Sequence, residues 1–190
     1  MSIYSLEDFV ADCRKVIEQH SEPATSVSHI VSLMHRLLTG DTSFLKPEHF
    51  RSDPDHYARN AIYIDPQEQM SLYALVWEPG QWTPVHDHGT WGVVGVYEGI
   101  LEESNYMFSN HIAEIDNKNV NLVRGGVLIL SPESVSSFVP NPDHIHRTGN
   151  PSTTQRTVSL HLYGNAMAGF YIYDTDQNTR KWTEVSHNES

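Results

Sequence analysis

From Tyr57 onward the chain is built of short apolar runs, AIYI, LYALVW, GVVGVY, GVLIL, VSSFV, TVSLHLY and FYIY, separated by Gly, Pro, Asn and Asp. Runs of this length, rich in β-branched and aromatic residues and cut by turn formers, read as strands. Many short strands with no long helix between them leave few architectures: a β-barrel or a double-sheet jelly roll. Before them the period changes. Ser5-Leu6-Glu7-Asp8 has the form of a capping box, and Leu6, Phe9, Val10, Cys13 and Ile17 recur at helical spacing. Ile30, Val31, Met34, Leu37 and Leu38 mark a second helix closed by Gly40, and KPEHFRSDP leads out of the helical part as a short irregular or helical piece. A chain of 190 residues needs only one domain, with residues 1–52 helical and 57–190 forming the barrel on which the helices pack.

Charge and cysteine content narrow the partners. A net charge of −12 with His neutral argues against nucleic acid and anionic membranes, because phosphate binding needs a basic surface. A small anionic substrate remains compatible if positive charge is concentrated locally. Cys13 is the only cysteine, so no intramolecular disulfide forms and a reducing compartment, the cytoplasm, is expected. On its apolar helical stripe Cys13 reads as a small core residue. No basic segment followed by an apolar run opens the chain, and no stretch reaches the length of a membrane span.

The chemistry concentrates in a few stretches. In Gly80–Gly99, GQWTPVHDHGTWGVVGVYEG, His86 and His88 are two residues apart, so on an extended strand both imidazoles share a face while Asp87 takes the other. The spacing of Gly80, His86, His88, Gly92 and Gly99 resembles the first signature of the cupin superfamily, which usually has Glu where Gly92 stands. Gly126 and Pro132, followed by His146 and Asn150, resemble the second signature with a longer loop, residues 133–143, inside it. His144 in DHIHR competes as the third ligand; His146 is preferred for its spacing to Asn150 and the Arg147 that follows.

In TVSLHLY, alternation puts Ser159, His161 and Tyr163 on one face and Val158, Leu160 and Leu162 on the other. Facing inward, the polar row forms a hydrogen-bonded relay ending in the Tyr hydroxyl; facing outward, it is an ordinary solvated strand face. In YARN, Tyr57 and Arg59 share a face, and the guanidinium fork suits a carboxylate, though alone an Arg serves as well in a surface ion pair.

Taken together, PVHDH, HRxxN, SLHLY and YxRN in these positions resemble the cysteine dioxygenase family, from about Tyr57 to Tyr163. The resemblance implies a cupin double-stranded β-helix (jelly-roll barrel) with N-terminal α-helices packed on it. It also implies one mononuclear Fe(II) held by His86, His88 and His146, and a substrate-carboxylate clamp at Arg59 with Tyr57 beside it. The Ser159-His161-Tyr163 row would act at the substrate. The implied reaction takes a small thiol and O2 to the sulfinic acid in an iron thiol dioxygenase.

With Gly92 in place of Glu, three neutral imidazoles leave the ion its full charge for anionic ligands, and Gly92 leaves room beside the metal. Mammalian members cross-link a Cys near this place to the Tyr of the row. Here Gly92 and Val93 stand there, and no Cys–Tyr cross-link at Tyr163 is expected. Within the resemblance Arg59 implies L-cysteine, since the branch acting on 3-mercaptopropionate commonly carries Gln in the carboxylate-binding region, while WEPGQWTPVHDHGTWGVVG resembles the bacterial branch that contains 3-mercaptopropionate enzymes. Two further readings are a non-catalytic cupin that binds a small ligand, and a cupin isomerase or Zn or Mn enzyme, which usually retains the Glu.

Overall fold

In the computed structural model, which describes residues 4–67, 69–109, 116–140, 144–164 and 169–184, the chain forms two antiparallel sheets behind two helices. The first sheet contains β1 (Ala58–Ile64), β2 (Ser71–Trp77), β4 (Gly92–Glu98), β7 (Val135–Phe138) and β9 (Thr157–Tyr163), in the order β1-β2-β9-β4-β7. The second contains β3 (Val85–His86), β5 (Leu101–Phe108), β6 (Leu122–Leu130), β8 (Ile145–Gly149), β10 (Gly169–Asp174) and β11 (Thr179–Glu184), in the order β11-β10-β3-β8-β5-β6. Tyr73, Leu75, Trp77, Val94 and Val96 of the first sheet meet Leu101 and Leu130 of the second in one buried cluster, so the sheets share an interior. This is the mainly β jelly-roll barrel expected from the sequence.

Helix α1 (Leu6–Gln19) starts where its text says it should. Ser5 Oγ accepts the Asp8 N–H at 3.1 Å, and Asp8 Oδ2 accepts the Ser5 N–H at 3.1 Å, so orphan amides of the first turn are satisfied reciprocally. Helix α2 (Pro23–Thr39) opens on a proline, whose missing N–H costs nothing in the first turn. Ile30, Met34, Leu37 and Leu38 of α2 lie against Leu72, Ala74, Val93, Leu160 and Leu162 on the outer face of the first sheet. A Cβ at Gly95 would overlap Leu38 and Met34, so this glycine lets α2 settle on β4. Cys13 is buried in the same cluster. KPEHFRSDP holds a short 3₁₀ turn, Pro47–Phe50. Among the described residues no helix is long and apolar enough to cross a membrane.

This packing decides which way β9 faces. All of Thr157–Tyr163 is buried, the apolar row under α2 and the strands beside it, so the polar row turns into the barrel rather than to solvent. Two details differ from the expectation. The strand carrying the His-x-His pair is only Val85–His86, with His88 just beyond it, and β5, β8 and β11 arise from polar text. Of the 133–143 loop, Val135–Phe138 forms β7 and residues 141–143 lie outside the described residues.

Candidate active site

Strands β3 and β8 pair with His86 directly opposite His146. Their ring centroids are 4.6 Å apart, and the His88 ring is 4.7 Å from His86 and 4.9 Å from His146. One nitrogen from each of the three lies within 4.8 Å of the others, and all three residues are buried. Asp87 turns the other way: its Oδ2 accepts the Tyr173 hydroxyl at 2.7 Å and its Oδ1 accepts the Tyr171 N–H at 2.9 Å. The pair is thereby pinned to β10.

Burial pushes the His86 and His88 imidazoles well below the ordinary histidine range and His146 below it, and neighbouring imidazoles add to this for each. The rings are therefore neutral electron-pair donors. His86 Nδ1 lies 3.0 Å from the Pro84 carbonyl, to which a neutral ring donates, leaving Nε2 free. His146 Nε2 is buried without a partner. A compact set of neutral imidazoles with free, buried nitrogens fits a divalent transition metal such as Fe(II).

His144 sits one step back. Its Nε2 is 3.1 Å from Asn105 Oδ1 and 3.2 Å from Glu103 Oε1, while Glu103 Oε2 lies 3.3 Å from His146 Nδ1, close to the neutral ring but not aligned as a hydrogen bond. Asn150, the other residue of the second signature, donates to the Trp77 and Gln155 carbonyls at 3.1 and 2.7 Å and ties the end of β8 to β2. Arg147 lies over Trp82, with its guanidinium carbon 4.7 Å from the ring centroid.

The polar row of β9 faces the same interior. Ser159 Oγ is 2.8 Å from His161 Nε2, and His161 Nδ1 is 3.1 Å from the Tyr163 hydroxyl. Burial, aided by His146 and Arg59, pushes His161 down to about 3, and burial pushes the Tyr163 phenol up, so the row holds a neutral imidazole and a protonated phenol. The Tyr163 ring lies 5.4 Å from that of His88.

Arg59 is only 8% exposed, and its Nε and Nη2 have no hydrogen-bond partner. Its guanidinium carbon lies 4.0 Å from the Tyr73 ring centroid and 5.4 Å from that of Tyr163. Among the described residues no acid pairs with it, and a buried cation left so is compensated by an anionic ligand. Tyr57 stacks on Trp77 at 4.6 Å, and burial pushes its phenol up against the opposing effect of Arg59. Among the described residues, Arg59, Tyr57, the three histidines and Tyr163 line one pocket with Leu75, Trp77, Thr83, Thr148, His161 and Phe170, and none of these is acidic.

The sequence reading missed Leu75, Trp77, Thr83, Thr148 and Phe170 of the lining, Glu103 behind His146, and Phe138, and Trp77 and Phe138 are the most informative of these. Trp77 donates its indole N–H to Ser159 Oγ at 2.9 Å. It alternates with Tyr73 and Leu75 on the inner face of β2, and a buried indole N–H needs an acceptor, which was the available signal. Phe138 is the second. The space left by Gly92 does not lie open beside the metal ligands, because a Cβ there would overlap the Phe138 ring. That ring stacks on His88 at 4.6 Å and on His144 at 4.5 Å. The side chain directly opposite Gly92 on the neighbouring strand β7 takes up the volume.

Comparison with known proteins agrees in kind. Human cysteine dioxygenase type 1 is 23% identical over 165 residues, covering 78% of this chain and 79% of that protein. The Danio rerio cysteine dioxygenase type 1 is 24% identical over 183 residues, covering 94% and 85%. Among solved structures, a Klebsiella pneumoniae protein with a double-stranded β-helix domain aligns with a TM-score of 0.48 at 16% identity, covering 70% of this chain and 99% of that one. The sequence profile of cysteine dioxygenase type I matches residues 2–177, nearly the whole chain, which therefore belongs to the cysteine dioxygenase type I family of non-haem iron dioxygenases.

Proposed function

We propose that this thiol dioxygenase acts on a small thiol carboxylate, L-cysteine first, with Arg59 as the carboxylate site. The observation that supports this is the buried, unpartnered Arg59 guanidinium lining the same pocket as His86, His88 and His146. The reaction balances as thiol plus O2 giving sulfinate plus a proton: the S–H and O–O bonds break and two S–O bonds form, sulfur losing the four electrons that dioxygen gains. Iron(II), held by His86, His88 and His146, would supply the one-electron chemistry that lets dioxygen react with a thiolate.

The chain's own residues bind and orient. Arg59 takes the carboxylate with Tyr57 beside it, and the aromatic lining excludes water. Trp77 donates to Ser159, whose hydroxyl proton then goes to His161 Nε2. His161 donates from Nδ1 to the Tyr163 oxygen, leaving the phenol proton directed at the substrate or the oxygen that reacts with it. With Gly92 and Val93 beside it and Cys13 in the helical cluster, Tyr163 keeps a free phenol. A single, buried cysteine suits a reducing compartment, and we place the enzyme in the cytoplasm.

One observation favours a second substrate, 3-mercaptopropionate: among the described residues no acidic one lines the pocket to meet the ammonium of cysteine. Sulfinate formation by the iron-loaded protein, measured with each thiol, decides between them. A kcat/KM at least tenfold higher for L-cysteine supports the first assignment and the reverse ratio supports the second. Turnover of neither thiol contradicts the Arg59 assignment.

A further inference from the structure

We propose that Glu103 is a positioning residue for the metal centre, holding the His146 imidazole from behind and returning to the site the negative charge that its ligands lack. The inference rests on His86, His88 and His146 being the ligands. Glu103 lies on β5 opposite Thr148 of β8, and is 3% exposed. Its two oxygens are divided between two imidazoles, Oε1 at 3.2 Å from His144 Nε2 and Oε2 at 3.3 Å from His146 Nδ1. Among the described residues no Lys or Arg pairs with it. A carboxylate this deeply buried needs positive charge nearby, and a cation on the far side of the His146 ring supplies it.

The three ligand histidines are thereby unequal. His86 Nδ1 meets a neutral carbonyl, Pro84 O, and His88 Nδ1 has no hydrogen-bond partner. Only His146 has an anion behind it. A carboxylate oxygen 3.3 Å from Nδ1 favours the ring proton on that nitrogen electrostatically, which leaves Nε2 as the donor and makes it more basic. Gly92 removes the usual carboxylate ligand, and Glu103 supplies a carboxylate one imidazole farther out. DHIHR then divides its labour: His146 faces the ion, and His144, stacked on Phe138 and shared with Asn105, holds Glu103 from the other side.

The test is Fe(II) affinity, measured anaerobically by chelator competition, for wild type, Glu103→Gln and Glu103→Asp, with thermal unfolding of each metal-stripped protein beside it. Loss of the charge at constant shape should weaken Fe(II) binding 10- to 100-fold in Glu103→Gln. Glu103→Asp should recover part of it. The metal-stripped Glu103→Gln protein should unfold close to wild type, because Gln keeps the shape and an oxygen acceptor for His144 Nε2. Affinity within twofold of wild type would overturn the inference. So would a fall in metal-stripped stability alongside affinity, or failure of Glu103→Gln to fold, since either marks a purely structural residue. Absence of Fe(II) binding by wild type itself would instead overturn the assignment of the three ligands.

Discussion

The indole N–H of Trp77 points at Ser159 Oγ across 2.9 Å, which leaves the Ser159 proton available to His161 Nε2 at 2.8 Å. In the order the proposed relay uses, Ser159 accepts from Trp77 and gives its own proton to the imidazole, whose other nitrogen then donates to Tyr163. Trp77→Phe keeps most of the ring and removes the donor. The expected outcome is a kcat/KM lower by about tenfold, roughly 1.4 kcal/mol, with iron content unchanged. Steady-state oxygen uptake with metal analysis checks it, and an unchanged kcat/KM would remove Trp77 from the relay.

Arg59→Met takes away the one Arg or Lys of the pocket lining among the described residues. Losing a charge-assisted hydrogen bond of about 2–3 kcal/mol raises KM for the thiol carboxylate by about 100-fold. The metal-stripped variant should be at least as stable as wild type, because the guanidinium it loses is buried and unpaired. Kinetics and thermal unfolding of one preparation test both halves.

Gly92→Cys places a thiol on β4, where Gly92 pairs with Tyr163 of β9. The new Cβ meets the Phe138 ring, so the variant should lose about 1–3 kcal/mol of stability. In wild type, peptide mass mapping after turnover should show an unmodified Tyr163. A thioether there would contradict the free phenol.

Acid should destabilise the metal-stripped protein through His161. Its folded pKa of about 3 lies below an unfolded value of about 6.5, so the unfolded chain binds the extra proton. The stability this neutral imidazole contributes is complete above about pH 6.5 and is lost as pH falls toward 3, at up to about 1.4 kcal/mol per pH unit. His161→Gln should flatten the pH dependence of unfolding in that window by one proton; equal slopes would contradict the assignment.

Much of this molecule can be read along the chain because its signals are local. The Ser5–Asp8 box and the apolar runs that become β1, β2, β4, β6, β7, β9 and β10 carry their own period. Strands β5 and β8 do not, since LEESNYMF and IHRTG bury polar groups whose partners lie far away in sequence: Glu103 with His144, and Ser104 with Arg124 at 3.0 Å. Alternation shows that Ser159, His161 and Tyr163 share a face. Which face looks inward depends on α2 covering Leu160 and Leu162. Phe138 in the space beside Gly92 and Trp77 behind Ser159 are likewise tertiary facts, set by register across β4, β7, β2 and β9.

The most direct test of the central claim is turnover of the iron-loaded protein with L-cysteine under oxygen-18 gas, following oxygen uptake and the mass of the product. One O2 consumed per thiol, with both labelled atoms in the sulfinate, is the predicted result. Iron-loaded protein that consumes no oxygen with L-cysteine or 3-mercaptopropionate, or that places a single labelled atom in the product, would contradict a dioxygenase acting on a small thiol carboxylate.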